Sequence, residues 1–160
     1  MIYVLDKLII RRATNNDCTI LNKLFEKLLI YERTYFDKNI SQDLNINSFF
    51  ENRVNDNNCV IFVAEIDNRV IGYISGYIDH DNKIKVEIET IIESIYIEDN
   101  YKNKGIGTKL INEFIKCVKE KGVKYILIDN FILNESARYL YKKLGFIVLK
   151  ESRRMEIWKH

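Results

Sequence analysis

Gly105 and Gly107 stand one residue apart in YKNKGIGTKL, residues 101–110, among Lys102, Lys104 and Lys109 and with no acidic residue before Glu113. The stretch lies between an alternating apolar run and an amphipathic one. It therefore reads as the turn from a strand into a helix that starts near Gly107. A helix start exposes free backbone N–H groups and the positive end of the helix dipole, and it normally draws Asp or Glu into its first turn. Lysines there make sense if the missing anion is a ligand. Glycines let the backbone approach a bulky group without a Cβ in the way, and a pyrophosphate would satisfy the free donors. Two phosphate loops do not fit: G-x-x-x-x-G-K-[ST] is absent, and G-x-G-x-x-G fails because Leu110 stands where the third glycine belongs. Taken alone, the turn is equally a flexible glycine turn with solvated lysines.

The elements around this turn follow from periodicity. LIIRR, Leu8–Arg12, reads as a first strand, and apolar residues at 20, 21, 24, 25, 28 and 29 form one stripe of a helix. A short helix is expected over Asn47–Val54. VIFVAEI and VIGYISGYI are β-rich runs joined by Asp67 and Asn68, which suits a tight hairpin, and IETIIESIYI reads as a further strand. These make an antiparallel meander. Leu110, Ile111, Phe114, Ile115 and Val118 then mark a helix closed by Gly122, and KYILID is a short strand after it. Strand, helix, strand implies a parallel pairing. Ala137, Leu140, Tyr141 and Leu144 stripe a last helix ended by Gly145, and FIVLK and RMEIW can pair as a terminal hairpin. The fold class is α/β (α+β): a mixed, mostly antiparallel sheet of about six or seven strands flanked by about four helices, in one domain over residues 1–160.

Bulk properties narrow the function classes. A net charge of +2 from 25 basic and 23 acidic side chains supplies no global field for nucleic acid and no acidic excess for disorder. Asp6 and Lys7 interrupt the apolar opening, so no signal peptide is read, and no stretch approaches a membrane span. Cys18, Cys59 and Cys117 are too far apart for a zinc knuckle, odd in number for a disulfide framework, and joined only by His80 and His160. No metal is expected, and a cytoplasmic location is.

The residues around the turn carry a resemblance. SIYIEDNYKNKGIGTKL resembles the acetyl-CoA signature of the GNAT superfamily of N-acetyltransferases, a strand leading into [QR]-x-x-G-x-[GA] at a helix start. NESARYLYKKLGF resembles the same family's N-x-x-A-x-x-L-Y-x-K-x-G-F segment, and IIRRATNNDCTILNKLF its opening strand and helix. Residues 32–58, where acceptor specificity usually resides in that family, match nothing nameable.

The resemblance implies an acetyl-CoA-dependent N-acetyltransferase, with the strand Glu93–Ile97 bulged and splayed from Tyr125–Asp129 to hold the cofactor between them. Cofactor contacts are implied for Ile95, Tyr96, Ile97, Lys102, Asn103, Lys104, Gly105, Ile106, Gly107 and Thr108, and for Asn134, Ala137 and Tyr141. Lys102 departs from the usual Gln or Arg, keeping the charge without the planar group, and is read either as a phosphate contact or as a solvated lysine. The Ile95 N–H is the candidate oxyanion donor and Tyr141 the candidate general acid, with a core tyrosine as the alternative. Asn134 bonds the pantetheine arm, caps its helix, or does both. Glu93, two residues before Ile95 and therefore on the same face, is the candidate base, with Glu32, Asp37 and water as competitors. Tyr31, Tyr35, Phe36 and Tyr73 either line an acceptor pocket or belong to the core. The expected acceptor is a small-molecule amine, with a protein N-terminus or lysine as alternative and a non-catalytic acyl-CoA-binding module as the third. The chain is expected as a monomer or homodimer.

Overall fold

Apolar runs of strand length and one tight turn organise the centre of the sheet. The computed structural model describes residues 7–43 and 45–157, and the chain divides into two compact units, Met1–Asp129 and Asn130–His160. In the first unit the elements run β1 (Ile9–Arg12), α1 (Cys18–Tyr35), β2 (Cys59–Ile66), β3 (Arg69–Asp79), β4 (Glu89–Ile97), α2 (Ile106–Glu120) and β5 (Tyr125–Ile128). The sheet order is β1-β2-β3-β4-β5. The first four strands pair antiparallel, and β5 lies parallel to β4 as the strand–helix–strand pattern requires. Asp67 and Asn68 both take left-handed backbone, with φ of 49° and 62°. That is the turn whose twist matches its flanking strands, and these two residue types tolerate it.

Both faces of the sheet are covered, which is why β2 and β3 are almost continuously apolar. On one face Cys18, Leu21 and Leu24 of α1 pack with Phe50, Ile61, Val63, Val70 and Tyr73. On the other, α2 buries Leu110, Ile111, Phe114 and Val118. Gly76 of β3 is matched to this face: a Cβ there would stand 2.5 Å from Cζ of Phe114.

Asp17 fixes the entry to α1. Its buried carboxylate accepts from Arg11 Nη1 at 2.8 Å and Nη2 at 2.9 Å, and from Thr14 N at 2.8 Å and Oγ1 at 3.0 Å. The Arg11 guanidinium, helped by Thr14, holds this carboxyl below its ordinary range against the opposing effect of burial. A lowered pKa contributes stability that is present above the unfolded value and lost as pH falls through the folded one. Asp17→Asn should therefore cost about 2–3 kcal/mol at pH 7 by urea unfolding, less than a fully buried pair because Arg11 is partly exposed. The difference from wild type should close below about pH 4.

The second unit holds α3 (Glu135–Lys143). Asn134 caps it, its side chain accepting from the Ala137 N–H at 3.2 Å. Gly145, at φ 91°, ends it, with the Phe146 N–H donating back to the Tyr141 carbonyl at 3.0 Å.

Two expectations need correction. Among the described residues there are five strands and three α-helices, fewer than the sequence suggests. Residues 47–54 form successive turns instead of a helix, because the Asn22 side chain takes the groups that a helix would use. Its Nδ2 donates to the Asn47 carbonyl at 3.0 Å, and its Oδ1 accepts from the Phe50 N–H at 3.2 Å. Residues 146–157 contain no strand. The segment between the two apolar runs, Lys150–Arg154, has no Gly, Asn or Asp to reverse the chain, and Arg153 pairs with Glu151 in exposed backbone. The Trp158 end of that expected hairpin, like the opening residues 1–6, lies outside the described residues.

Candidate active site

The edge of β4 is the first component. A register shift between Ser75 and Gly76 pairs Ser75 with Ser94 but Gly76 with Ile92, so Glu93 is the extra residue of a β-bulge. Glu98 N–H donates to the Ile71 carbonyl at 2.9 Å. Counting back by twos, Tyr96 and Ser94 bond β3, while the N–H and C=O of Ile95 and Ile97 point away from it. On that other side β5 pairs only with Glu89–Ile92. The backbone groups of Ile95 and Ile97 thus face an edge with no strand partner among the described residues.

The bulge also overturns the parity assumed for Glu93. Ile92 and Ile95 oppose Gly76 and Ile74, two residues of one face of β3, so the shared face of β4 skips three residues at this point. Glu93 does not share the face of Ile95. Its carboxylate pairs with Arg53, whose guanidinium also stands 5.0 Å from the ring centre of Phe49.

The turn after β4 is the second component. Asn103 and Gly105 both have left-handed backbone, at φ 59° and 78°, on either side of Lys104. Gly105 is the N-cap of α2, no side chain caps it, and no acid stands in the first turn. Nothing lies within 4 Å of a Cβ built on Gly105. The N–H groups of Ile106, Gly107 and Thr108 therefore begin α2 without intrahelical acceptors, next to the open space at Gly105, although Ile106 and Gly107 are themselves buried. This cradle fits the pyrophosphate of acetyl-CoA. The lysines do not simply ring it: Lys104 Nζ donates to the Asn100 carbonyl at 2.9 Å, and Lys102 pairs with Asp99 at 2.6 Å.

The last turn of α1 is the third component. Tyr31 packs against Tyr35 and Phe36 with ring centres 5.0 and 5.5 Å away. Glu32 is half-buried with no ion-pair or side-chain hydrogen-bond partner among the described residues, and burial pushes its carboxyl above the ordinary range. Tyr73 is fully buried and belongs to the core cluster. Its hydroxyl and that of Ser75 lack hydrogen-bond partners among the described residues; Ser94 is near the phenol without meeting hydrogen-bond geometry. Burial, with the charge of Glu32 adding to it, pushes the Tyr73 phenol up. Sequence reasoning named Tyr73 but missed Arg53, Ser75 and Ser94. Ser75 and Ser94 are polar interruptions in apolar strands and could have been flagged; nothing in the sequence marks Arg53.

In the second unit Asn134, Ala137 and Tyr141 lie along α3. Asn134 is engaged as the cap described above, and Tyr141 is buried, its ring 5.8 Å from that of Phe146. Among the described residues no group of three or more His, Cys, Asp or Glu is placed to hold a metal ion. No helix among them is long and apolar enough to cross a membrane.

The family model described as the acetyltransferase (GNAT) family matches residues 22–146. An N-alpha-acetyltransferase of Sulfurisphaera tokodaii is 32% identical over 108 residues, 64% of this chain and 65% of that one. A thialysine N-epsilon-acetyltransferase of Mus musculus is 29% identical over 152 residues, 89% of this chain and 86% of its own length. The chain spans 38% and 39% of the length of two further curated relatives. A crystal structure of a predicted acetyltransferase with acetyl-CoA from Clostridium acetobutylicum has a TM-score of 0.72 at 22% identity, covering 94% of this chain and 96% of that one. That likeness shows the fold.

Proposed function

The chain belongs to the acetyltransferase (GNAT) family, and from that premise we propose that it transfers an acetyl group from acetyl-CoA to the primary amine of a small molecule, by direct attack in a ternary complex. Acetyl-CoA, seated with its pyrophosphate on the N–H groups of Lys104–Thr108, supplies the activated thioester. The Ile95 N–H, free of a strand partner, donates to the oxygen on which negative charge develops. Glu32 takes the proton of the attacking amine. It is favoured over Glu93 because Arg53 already neutralises Glu93, whereas Glu32 is partly desolvated and has no ion-pair partner among the described residues. Tyr141 donates the proton that the leaving sulfur needs, a role assigned on its motif position alone. No cysteine is required as a nucleophile.

The observation that carries the reading is the left-handed pair Asn103 and Gly105 before an acid-free, uncapped α2. Gly107→Val should weaken CoA binding by about tenfold or more in a calorimetric titration, because a branched side chain stands where the backbone must approach the ligand. The far-UV circular dichroism should be unchanged. A folded Gly107→Val protein that binds CoA as wild type does would remove this site.

A small acceptor is supported by the match to the thialysine enzyme along most of both chains. The archaeal N-alpha-acetyltransferase supports a second reading, a protein N-terminus. Competition between a thialysine-like diamine and N-terminal peptides for one pool of acetyl-CoA separates the two by their kcat/KM values.

A further inference from the structure

Lys102 occupies the first position of the glycine turn, yet its ammonium is directed back toward α1 and β4. Nζ lies 4.8 Å from the ring centre of Tyr31 in α1 and 5.5 Å from that of Tyr96 in β4. Its carboxylate partner is Asp99, at 2.6 Å, within the same turn. One cation thus joins three pieces of chain. A charge over two aromatic faces is attracted by both ring quadrupoles, and Asp99 keeps it from swinging outward. Tyr31 immediately precedes Glu32 and packs against Tyr35 and Phe36. Whatever fixes Tyr31 also fixes the end of α1.

We propose that Lys102 is a positioning residue for the acceptor half of the site: a latch over Tyr31 and Tyr96 that holds the last turn of α1, with Glu32, against the edge of β4. The pyrophosphate is left to the backbone of the turn. This inference rests on the reading of Glu32 as the base and adds how that base is kept in place. It also accounts for a cation, in place of Gln, at the first position of the signature. A point charge on a flexible stem can lie over two rings while bonding Asp99, and Gln would supply no charge. The other charged groups near these elements are already matched: Glu98 with Lys27 and Arg69, and Glu93 with Arg53.

The test separates amine kinetics from cofactor binding. Lys102→Met should lower kcat/KM for the amine by about tenfold, the worth of a partly desolvated cation–π contact. Calorimetric CoA affinity should move by less than about twofold, and Lys102→Arg should restore most of the rate. Tyr31→Leu should give the same loss, and the combined variant no further one. A CoA affinity that falls about tenfold in Lys102→Met, with amine kinetics intact in Tyr31→Leu, would make Lys102 a phosphate ligand and overturn the latch. The same double-mutant cycle read by urea unfolding needs no turnover. If it shows no coupling between Lys102 and Tyr31, the latch is wrong even in an active enzyme; coupling in a protein with no turnover would keep the latch and reject the proposed activity.

Discussion

Glu32→Gln should lower kcat/KM for the amine by about 10²–10³ at neutral pH, the usual range for a lost general base. The sign of the pH dependence follows from the cause of the shift. Burial raises this carboxyl above its ordinary value of 4.5, so wild-type activity should rise with pH as the group ionises, and the Gln variant should lack that limb. Deprotonation of the amine itself gives a second rise that both proteins share, which is why the comparison is made over the full range. Stability should move the other way. A raised folded pKa means the folded state keeps its proton longer, so stability is fully present below the unfolded value and is lost as pH rises through the folded one. Glu32→Gln should therefore melt higher than wild type near neutral pH, with the difference closing below about pH 4. A slower but more stable variant is hard to explain by structural damage. If Glu93→Gln removes the limb and Glu32→Gln leaves it, the base is Glu93 and its pairing with Arg53 opens in the complex.

Tyr141→Phe should reduce kcat by about 10²-fold while CoA affinity changes little, because it deletes one hydroxyl and almost no volume. If proton donation accompanies C–S cleavage, the loss should be largest for poor amines, whose attack leaves more of the barrier at thiolate departure. The ring of Tyr141 is buried beside Phe146, so its packing survives the change. Equal melting temperatures would confirm that only chemistry was altered, and a drop would measure any structural share of the hydroxyl. Equal kcat values for the two proteins would return Tyr141 to a core residue.

Much of this was legible in the sequence because local rules and global packing agree there. Asp67 and Asn68 announce a turn that needs left-handed backbone, and Gly122 and Gly145 end their helices where periodicity stops. The glycine pair at 105 and 107 marks the start of α2, which lacks a side-chain cap and an acid in its first turn. What escaped was decided by tertiary contacts. Asn22 disrupts the expected helix at 47–54 from 25 and more residues away, and no local propensity carries that information. The bulge at Glu93 breaks strand alternation with no Gly to signal it, so the residue fell on the wrong face. Lys102 looked like a phosphate ligand or a solvated lysine, since its ring partner Tyr31 lies far back in the sequence.

The measurement that bears most directly on the proposed function is the stoichiometry of the reaction itself. Wild-type protein is incubated with acetyl-CoA and a panel of small amines and peptides, with free thiol read by a chromogenic disulfide and acetylated product by mass spectrometry. The proposal requires one thiol released for each acetyl group found on an amine nitrogen, with the highest kcat/KM among the small amines. Tight CoA binding with no amine-dependent thiol release from any acceptor would contradict it and leave a binding module in its place.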